Sequence, residues 1–468
     1  MTAARCFVSA EKLHLEADLK TAEILAGKAA GGFADVFREE VYRTGVVLED
    51  KKIEAALLGR DSGVALRIEL PGISRFSHSP EPHPDELPRM AEDLAGENFP
   101  TGLVFKPPET PQSAMAPDPS GGRSLAELVN LLEMLDRIAR AEDPRVVQVR
   151  ISYGDYARFK RITDSSGRVS ACVSEGVRLW ALVTANDGRT TQTGYESIAA
   201  ATGWEIFGKE PAEAMVLGAA RRAVAMLGAR KAPGGPMPVV LAAEAGGTMI
   251  HEAVGHGLEA DLVLEGHSVY AGMLGKKVAS PLVTVIDDPS IPGRNGSYAI
   301  DDEGTVAART ILIEDGVLKG YLSCRRTARE LSAAPSGNGR RESCAHPPIP
   351  RMSNTFIARG ETHPSTIISA TDRGLYVTRM GGGQVDTVSG DFVFEVAEGF
   401  LIEKGLITDP VRQATITGNG PEVLLSIDMV GSDLGFGNGT CGKDGQGVPV
   451  ADAQPTLRIP ELNVGSCT

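Results

Sequence analysis

No apolar run in this sequence approaches the roughly 18 residues that a membrane-spanning helix requires. The first residues also lack the charged segment and apolar core of a secretory signal. We therefore predict no membrane partner and no export, and we expect a cytoplasmic protein.

Positive charge is scarce too, since 47 Lys and Arg residues stand against 61 Asp and Glu residues, for a net charge of −14. Nucleic acids are bound through clustered Lys and Arg, so this composition argues against a nucleic-acid partner. Six cysteines are scattered along 468 residues without a CxxC pair. In a long chain without a signal peptide, such spacing is typical of reduced thiols.

The hydropathy pattern predicts an α+β fold with two domains. Three prolines and two glycines within residues 231–238 mark the boundary between them. Residues 1–232 are predicted to form an N-terminal α/β meander domain. Its proline-rich segment 71–122 is predicted as mostly loop, with a short helix near 86–94. Residues 233–468 are predicted to form a C-terminal β-rich domain that carries a helix with a metal-binding motif.

Individual elements of the first domain can be predicted from periodicity and turn residues. Ser124 followed by Glu127 is the pattern of a capping box at the start of a helix. Alternating apolar residues interrupted by glycine predict short antiparallel strands. We predict helices at 10–30, 123–143 and 211–228, and strands at 34–43, 45–50, 63–68, 146–153, 158–162 and 177–183.

The chemistry concentrates in the segment Gly246–Gly257, which contains His251, Glu252 and His256. Two imidazoles can hold a zinc ion, and a carboxylate beside them can accept a proton from water. Residues five apart on a regular helix differ by about 140° in direction, so the two rings would diverge. Both can bind one ion only if the helix forms a π-type turn or ends near Gly255. The alternative is two unrelated helical histidines.

A catalytic zinc ion takes three protein ligands, so a third ligand is needed. Cys441 is flanked by glycines, and the nearby Lys443 would favour its thiolate. An ordinary loop thiol is the competing interpretation, and the residues alone favour it. The candidates for the third ligand are Glu259, Asp261, His267, His346 and Cys441.

Two further segments are candidates for binding a substrate. Arg340 and Arg341 could hold a carboxylate or an oxyanion, or could form a salt bridge in a solvated loop. Gly382, Gly383 and Gln384 could line a cleft in which an extended peptide adds as a strand, or could form a simple turn. Residues 301–303, with the sequence Asp-Asp-Glu, are predicted to be a solvated turn.

Six segments, in order along the chain, resemble the TldD branch of the TldD/PmbA (TldE) family of zinc metallopeptidases. They are Gly45–Asp50, His251–Gly257, Ala299–Thr305, Gly337–Ser343, Gly381–Asp386 and Cys441–Gln446. The resemblance implies a zinc-dependent peptidase of the HExxxH type that hydrolyses peptide bonds in unfolded or extended peptides. It implies that His251, His256 and Cys441 bind zinc, and that Glu252 is the general base acting on a zinc-bound water.

The resemblance also implies a partner, because TldD proteins usually pair with a TldE subunit that lacks the metal motif. We therefore expect a homodimer or a heterodimer with a TldE-like subunit. Two alternatives stay open, a non-catalytic binding subunit and a structural zinc protein of the same family.

Overall fold

The computed structural model describes residues 8–29, 31–80, 82–96 and 118–466. The helices are α1 Val8–Ala26, α2 Glu86–Ala95, α3 Leu125–Glu142, α4 Ala212–Leu227, α5 Thr248–Ile250, α6 Ala260–Leu264, α7 Arg325–Glu330, α8 Pro364–Ser369 and α9 Gly420–Ser426. The first eleven strands are β1 Phe33–Glu49, β2 Lys52–Leu70, β3 Ile73–Ser79, β4 Val146–Asp164, β5 Val169–Asn186, β6 Thr191–Ala200, β7 Arg230–Lys231, β8 Gly235–Leu241, β9 Val285–Asp287, β10 Thr310–Glu314 and β11 Val317–Leu318. The others are β12 Gly339–Arg340, β13 Ile349–Pro350, β14 Asn354–Ile357, β15 Arg373–Val385, β16 Asp391–Glu403, β17 Leu406–Arg412, β18 Ala414–Asn419, β19 Met429–Val430, β20 Gly435–Lys443, β21 Gln446–Gln454 and β22 Leu457–Ser466.

The N-terminal part is a six-stranded antiparallel sheet in the order β3-β2-β1-β4-β5-β6. Helices α3 and α4 bury their apolar faces with strands β4 and β5 in one core. The predicted capping box is confirmed, because the Ser124 hydroxyl accepts from the Glu127 N–H and the Glu127 carboxylate accepts from the Ser124 N–H. This closes the first turn of α3 and fixes where the helix begins.

The predicted strands of this sheet are longer than expected. The two strands predicted at 34–43 and 45–50 form the single strand β1, and those predicted at 146–153 and 158–162 form the single strand β4. Gly45 lies directly opposite Gly154 in the register of these strands, so the glycines do not break them. The segment 71–122, predicted as mostly loop, contains the unpredicted strand β3 as well as helix α2, while residues 97–117 lie outside the described part.

The C-terminal part is built from two larger sheets. One has the order β11-β10-β9-β14-β21-β20. In the other, β15-β8-β22-β18-β16-β17-β7, strand β15 also pairs with β16, so five strands close into a ring. An α+β fold with a β-rich C-terminal domain is therefore confirmed. The boundary at 232/233 stays a prediction, and Arg230–Lys231 pairs with β17 of the C-terminal sheet.

The two parts are joined by buried charges. Arg67 on β2 binds Asp35 on β1 and also Glu303, whose carboxylate oxygen lies 2.6 Å from Arg67 Nη1. Lys160 Nζ on β4 lies 2.8 Å from a carboxylate oxygen of Asp302. The prediction that residues 301–303 form a solvated turn is wrong, because Asp302 and Glu303 are buried against cations of the N-terminal sheet.

Within the described ranges, no helix combines the length and apolar content needed to cross a membrane.

Replacing Arg67 with Met removes the cation that Asp35 and Glu303 share and leaves two buried carboxylates uncompensated. We expect the free energy of unfolding to fall by about 3 to 5 kcal/mol, as measured by urea denaturation. Arg43→Met is the matched control, because Arg43 and Asp61 form a solvent-exposed pair that contributes little. Equal losses in the two variants would contradict a specific role for the buried network.

Candidate metal centre

The two motif histidines lie on a deformed helix. Helix α5 runs directly into a π turn over His251–Gly255, followed by a 3-10 turn over His256–Leu258. The N–H of His256 donates to the carbonyl of His251, a bond that spans five residues. The wider turn places both rings on one side, with centroids 5.0 Å apart and planes at 89°. The prediction that the helix must deform for both imidazoles to meet is confirmed.

Close packing around this turn requires glycine at two positions. A β carbon at Gly247 would lie 2.4 Å from the Ala453 backbone nitrogen, so the turn rests directly on strand β21. The Gly247 N–H donates to the Asp452 carbonyl at 3.2 Å. A β carbon at Gly255 would lie 2.1 Å from the sulfur of Met352. These contacts fix the turn against the six-stranded C-terminal sheet.

The ribbon formed by β20 and β21 brings Cys441 to the histidines. Cys441 is paired with Val448, and Asp452, four residues further along β21, points to the same face. The Cys441 sulfur lies 3.6 Å from His256 Nε2. The potential ligand atoms of His251, His256 and Cys441 all lie within 4.8 Å of one another. Three donors from two distant segments therefore converge on one point.

A carboxylate lies next to the Nδ1 atom of each imidazole. His251 Nδ1 lies 2.7 Å from Asp452 Oδ1, and His256 Nδ1 lies 2.9 Å from Glu259 Oε2. Lys443 Nζ lies 3.0 Å from Glu259 and 2.7 Å from Asp261, which balances these buried charges. A carboxylate on the second nitrogen fixes the tautomer and orientation of a metal-binding histidine.

When no cation is bound, the candidate ligands carry protons that a cation must displace. Burial raises the pKa of the Cys441 thiol, but hydrogen bonds from His251 and His256 outweigh it and lower that pKa to about 6. Burial lowers the pKa of His256, but Glu259 and Cys441 raise it to about 9. A cation that binds the thiolate and both imidazoles must displace the imidazole protons, so metal affinity depends on pH.

The other candidates for the third ligand lie elsewhere or have other partners. Glu259 and Asp261 bind Lys443. His267 is exposed beside Glu265, and His346 Nδ1 lies 3.0 Å from the Ser343 hydroxyl. Of the five candidates, Cys441 forms a cluster with both histidines and lies next to Nε2 of His256, whereas Glu259 contacts the other ring nitrogen of His256, Nδ1.

Glu252 stands at the edge of this group. Its carboxylate oxygen lies 4.0 Å from His256 Nε2, and 32% of its side chain is exposed. The carboxylate is therefore next to the donor atoms and open to solvent, as the proton acceptor in a hydrolysis must be.

The predicted substrate-binding residues divide into two groups. Arg340 and Arg341 are buried and line a cavity whose lining includes none of the three metal-ligand candidates. Gly382, Gly383 and Gln384 lie exposed on β15, which contacts the turn over His251–Gly255. The structure thus places strand β15 against the turn that carries the histidines, whereas the two arginines line a separate cavity.

Comparisons with known proteins show the family of this chain. A family model described as the PmbA/TldA metallopeptidase C-terminal domain matches residues 234–466, and one for the central domain matches residues 118–227. A metalloprotease TldD homolog from Haemophilus influenzae is 37% identical over 446 residues, covering 92% of each chain. A metalloprotease from Methanothermobacter thermautotrophicus is 36% identical, covering 92% of this chain and 95% of the relative.

This chain belongs to the TldD branch of the PmbA/TldD metallopeptidase family. Solved structures share its fold. A Thermotoga maritima protein superposes with a TM-score of 0.76 at 23% identity, covering 96% of this chain and 99% of that one. TldE from Thermococcus kodakarensis gives a TM-score of 0.73 at 18% identity, covering 93% and 97%.

Sequence reasoning missed one residue of the candidate metal centre. The sequence around Asp452 does not indicate its role, because Asp452 lies 201 residues from the histidine that it orients. Glu259 was noticed, but as a possible ligand. Its position three residues after His256 suits the back of that ring, where the structure places it.

The metal-free protein should show an unusually acidic thiol. Because the pKa of Cys441 is lowered to about 6, its thiolate should form as the pH rises through 6 and should be complete well below the usual pKa of about 8.5. The ultraviolet absorbance of the thiolate reports this titration. The pKa values of Cys324 and Cys344 are raised by burial to about 12 and 11, so these thiols do not interfere. Cys441→Ser is the control, and a difference spectrum that titrates near 9 would refute the arrangement.

Proposed function

We propose that this chain is a zinc-dependent peptidase of the HExxxH type that hydrolyses peptide bonds in unfolded or extended peptides. One observation carries the proposal: His251, His256 and Cys441 converge within 4.8 Å while the partly exposed Glu252 carboxylate stands beside them. Family membership supports a peptidase, and the donor set supports the metal.

Zinc fits these donors. Two imidazole nitrogens and a thiolate suit a borderline-soft cation better than a hard ion such as magnesium, which prefers oxygen. The carboxylates behind both rings supply the outer contacts that such a site needs. His251, His256 and Cys441 would hold the ion, which supplies a Lewis acid that polarises a carbonyl and makes water more acidic.

Glu252 would act as the general base. Its carboxylate can accept a proton from the attacking water and return it to the leaving amine. No carboxylate other than Glu252 lies within 4.0 Å of His256 Nε2 in the described part of the chain. The exposure of Glu252 also speaks against a purely structural zinc site, which would be closed by a fourth protein ligand.

The substrate would lie along β15. Strand β8 pairs with β15 only at Leu375–Val377, and residues 383–385 pair with β16 on one side alone. A β carbon at Gly383 would lie 1.8 Å from the Phe394 ring, whereas Gly382 has open space. Gly382, Gly383 and Gln384 thus offer backbone groups to an extended peptide, which is bound through its main chain and not by its sequence.

Replacing Glu252 with Gln keeps the shape of the side chain but removes the base. We expect zinc to remain bound at one ion per chain, and hydrolysis of an unfolded peptide library to fall by at least about 10²-fold. Mass spectrometry of the digest and elemental analysis measure the two quantities. Glu265→Gln, at an exposed carboxylate beside His267, is the control and should keep full activity. Activity retained by Glu252→Gln would rule out this base.

Replacing Cys441 with Ala should remove the metal instead. The loss of one of three ligands predicts a zinc content near zero after dialysis, together with lost hydrolysis. Cys172→Ala is the control, because Cys172 lies outside the cluster. Full zinc retention in Cys441→Ala would show that another residue is the third ligand.

We also propose that the chain works as a dimer, formed by two copies that join at the open edge of β2. Residues 52–63 pair with β1 on one side, and β3 pairs only with residues 64–70, so among described strands the other side is open. Leu57 and Leu58 are 56% and 72% exposed there. Two antiparallel copies centred on Leu57 place Glu54 opposite Arg60, so the charges complement each other.

Replacing both Leu57 and Leu58 with Lys should therefore dissociate the dimer. Analytical ultracentrifugation should give a mass of about 98.6 kDa, twice the 49.3 kDa chain, for the unaltered protein and the chain mass for the variant. Leu406→Lys, at an equally exposed leucine on β17, should leave the dimer intact. A monomeric unaltered protein that binds a TldE-like subunit would replace self-pairing with a heterodimer.

A further inference from the structure

A cavity of about 270 Å³ lies between the two domains, behind the ribbon of β20 and β21. The N-terminal sheet contributes Tyr156 and Ser174, and the C-terminal part contributes Tyr298 and Arg340. Thr440 and Pro449, which are paired across the ribbon, also line it. Cys441 follows Thr440 and points to the opposite face. The cavity and the candidate metal centre therefore lie on opposite faces of one ribbon.

The lining of the cavity holds more basic than acidic residues, although two of its cations, Arg43 and Arg158, also pair with Asp61 and Glu39 outside the lining. Asp302 serves two of the cations at once, with Lys160 Nζ at 2.8 Å and Arg158 Nη1 at 3.5 Å. Glu342 is used by the backbone, since its carboxylate accepts from the Gly447 N–H. The basic residues are Arg43, Arg158, Lys160, Arg340 and Arg341, and the acidic ones are Asp301, Asp302 and Glu342.

Arg340 is the least compensated of these cations. Its residue is only 8% exposed, and within the described ranges no carboxylate lies within 4.0 Å of its guanidinium. It donates to two carbonyls, Met352 at 2.6 Å and Pro449 at 2.8 Å, and lies over the Tyr298 ring. Two of its five N–H groups bind these carbonyls, which leaves donors that a ligand in the cavity could use. A buried permanent charge without a counter-charge is costly.

Neighbouring groups have unmet donors as well. In the described part of the chain, Nε and Nη1 of Arg341 and Nη2 of Arg158 have no hydrogen-bond partner. Burial, together with the nearby Arg67, lowers the pKa of Arg341 to about 10, although Asp35 opposes this shift. Burial is the main cause of this shift, and the carboxylates of Asp302 and Glu303 oppose it as Asp35 does.

We propose that this cavity binds a compact oxyanion, a carboxylate or a phosphate, with Arg340 as its main contact. The planar fork of Arg matches the two oxygens of either group. Small-molecule sites have volumes of about 300–1,000 Å³, so a cavity slightly below this range takes a small ligand. The Tyr156 and Tyr298 rings supply apolar wall beside the charged groups. The site does not depend on the peptidase proposal.

Binding can be measured on the full chain as purified, by calorimetry and thermal denaturation with inorganic phosphate and with succinate. We expect saturable binding and a rise in Tm with one or both anions, and at least about tenfold weaker binding in Arg340→Gln. Arg221→Gln, at an exposed arginine on α4 that pairs with Glu142, is the matched control and should bind normally. Binding of phosphate alone identifies a phosphate site, and binding of succinate alone a carboxylate site.

A second variant keeps the test valid if Arg340→Gln does not fold. Ser174→Asp places a carboxylate in the lining, so it should raise Tm without added anion and abolish the anion response, whereas Ser174→Asn should do neither. The response should persist in Cys441→Ala, which excludes binding at the candidate metal centre. The proposal is overturned if neither anion binds, if Arg340→Gln binds as well as the unaltered chain, or if Ser174→Asp leaves the response intact.

Discussion

The hydrogen bond from the His256 N–H to the His251 carbonyl is the constraint on which this site depends. The π turn contains one residue more than an α turn. The two imidazoles therefore do not diverge, and their centroids lie 5.0 Å apart. A π turn is less favourable than an α turn and survives where its surroundings fix it. Here the surroundings are the backbone of β21 at Gly247, the Met352 sulfur at Gly255, and a carboxylate behind each ring. The geometry is therefore set before any ion arrives.

The donor set also depends on long-range assembly. The histidines come from a turn that leads out of β8, whereas Cys441 and Asp452 come from a ribbon about 200 residues later. The alternation of a strand puts Cys441 and Asp452 on the same face, so one ribbon supplies both a ligand candidate and the support of its neighbour. Lys443, two residues after Cys441, balances the charge of Glu259. The hairpin of β20 and β21 thus supplies one ligand candidate, Cys441, and two residues that support the centre, Lys443 and Asp452.

Several features were predictable because their causes are local. The capping box of α3, the apolar face of α4 and the need for a deformed turn between His251 and His256 all follow from residues within a few positions of one another. The extent of β1 was not predictable in this way. The local sequence predicts a strand end near Gly45. Strand β1 instead continues through this residue, because Gly154 lies opposite it in the partner strand β4.

The burial of two acidic residues is even harder to predict from the local sequence than the length of β1. Asp302 and Glu303 have the composition of a solvated turn, but their burial depends on cations of a sheet more than 130 residues away and on the backbone N–H groups of Arg341 and Arg325. Asp452 likewise acquires its role from tertiary contact alone. Charged residues are poor sequence signals for burial, since their environment depends on partners that the local pattern does not contain. The arginine loop at 340–341 was open to both interpretations for this reason.

Arg340 links the proposed anion site to the surroundings of the candidate metal centre. One of its nitrogens binds the Met352 carbonyl, and the Met352 side chain packs against Gly255 of the π turn. Another binds the Pro449 carbonyl, next to Val448, which is paired with Cys441. One guanidinium therefore contacts the ribbon that carries Cys441 and the segment that packs against the π turn. If an anion on this guanidinium changes the affinity for a metal ion, thermodynamic reciprocity requires the metal ion to change the affinity for the anion by the same factor.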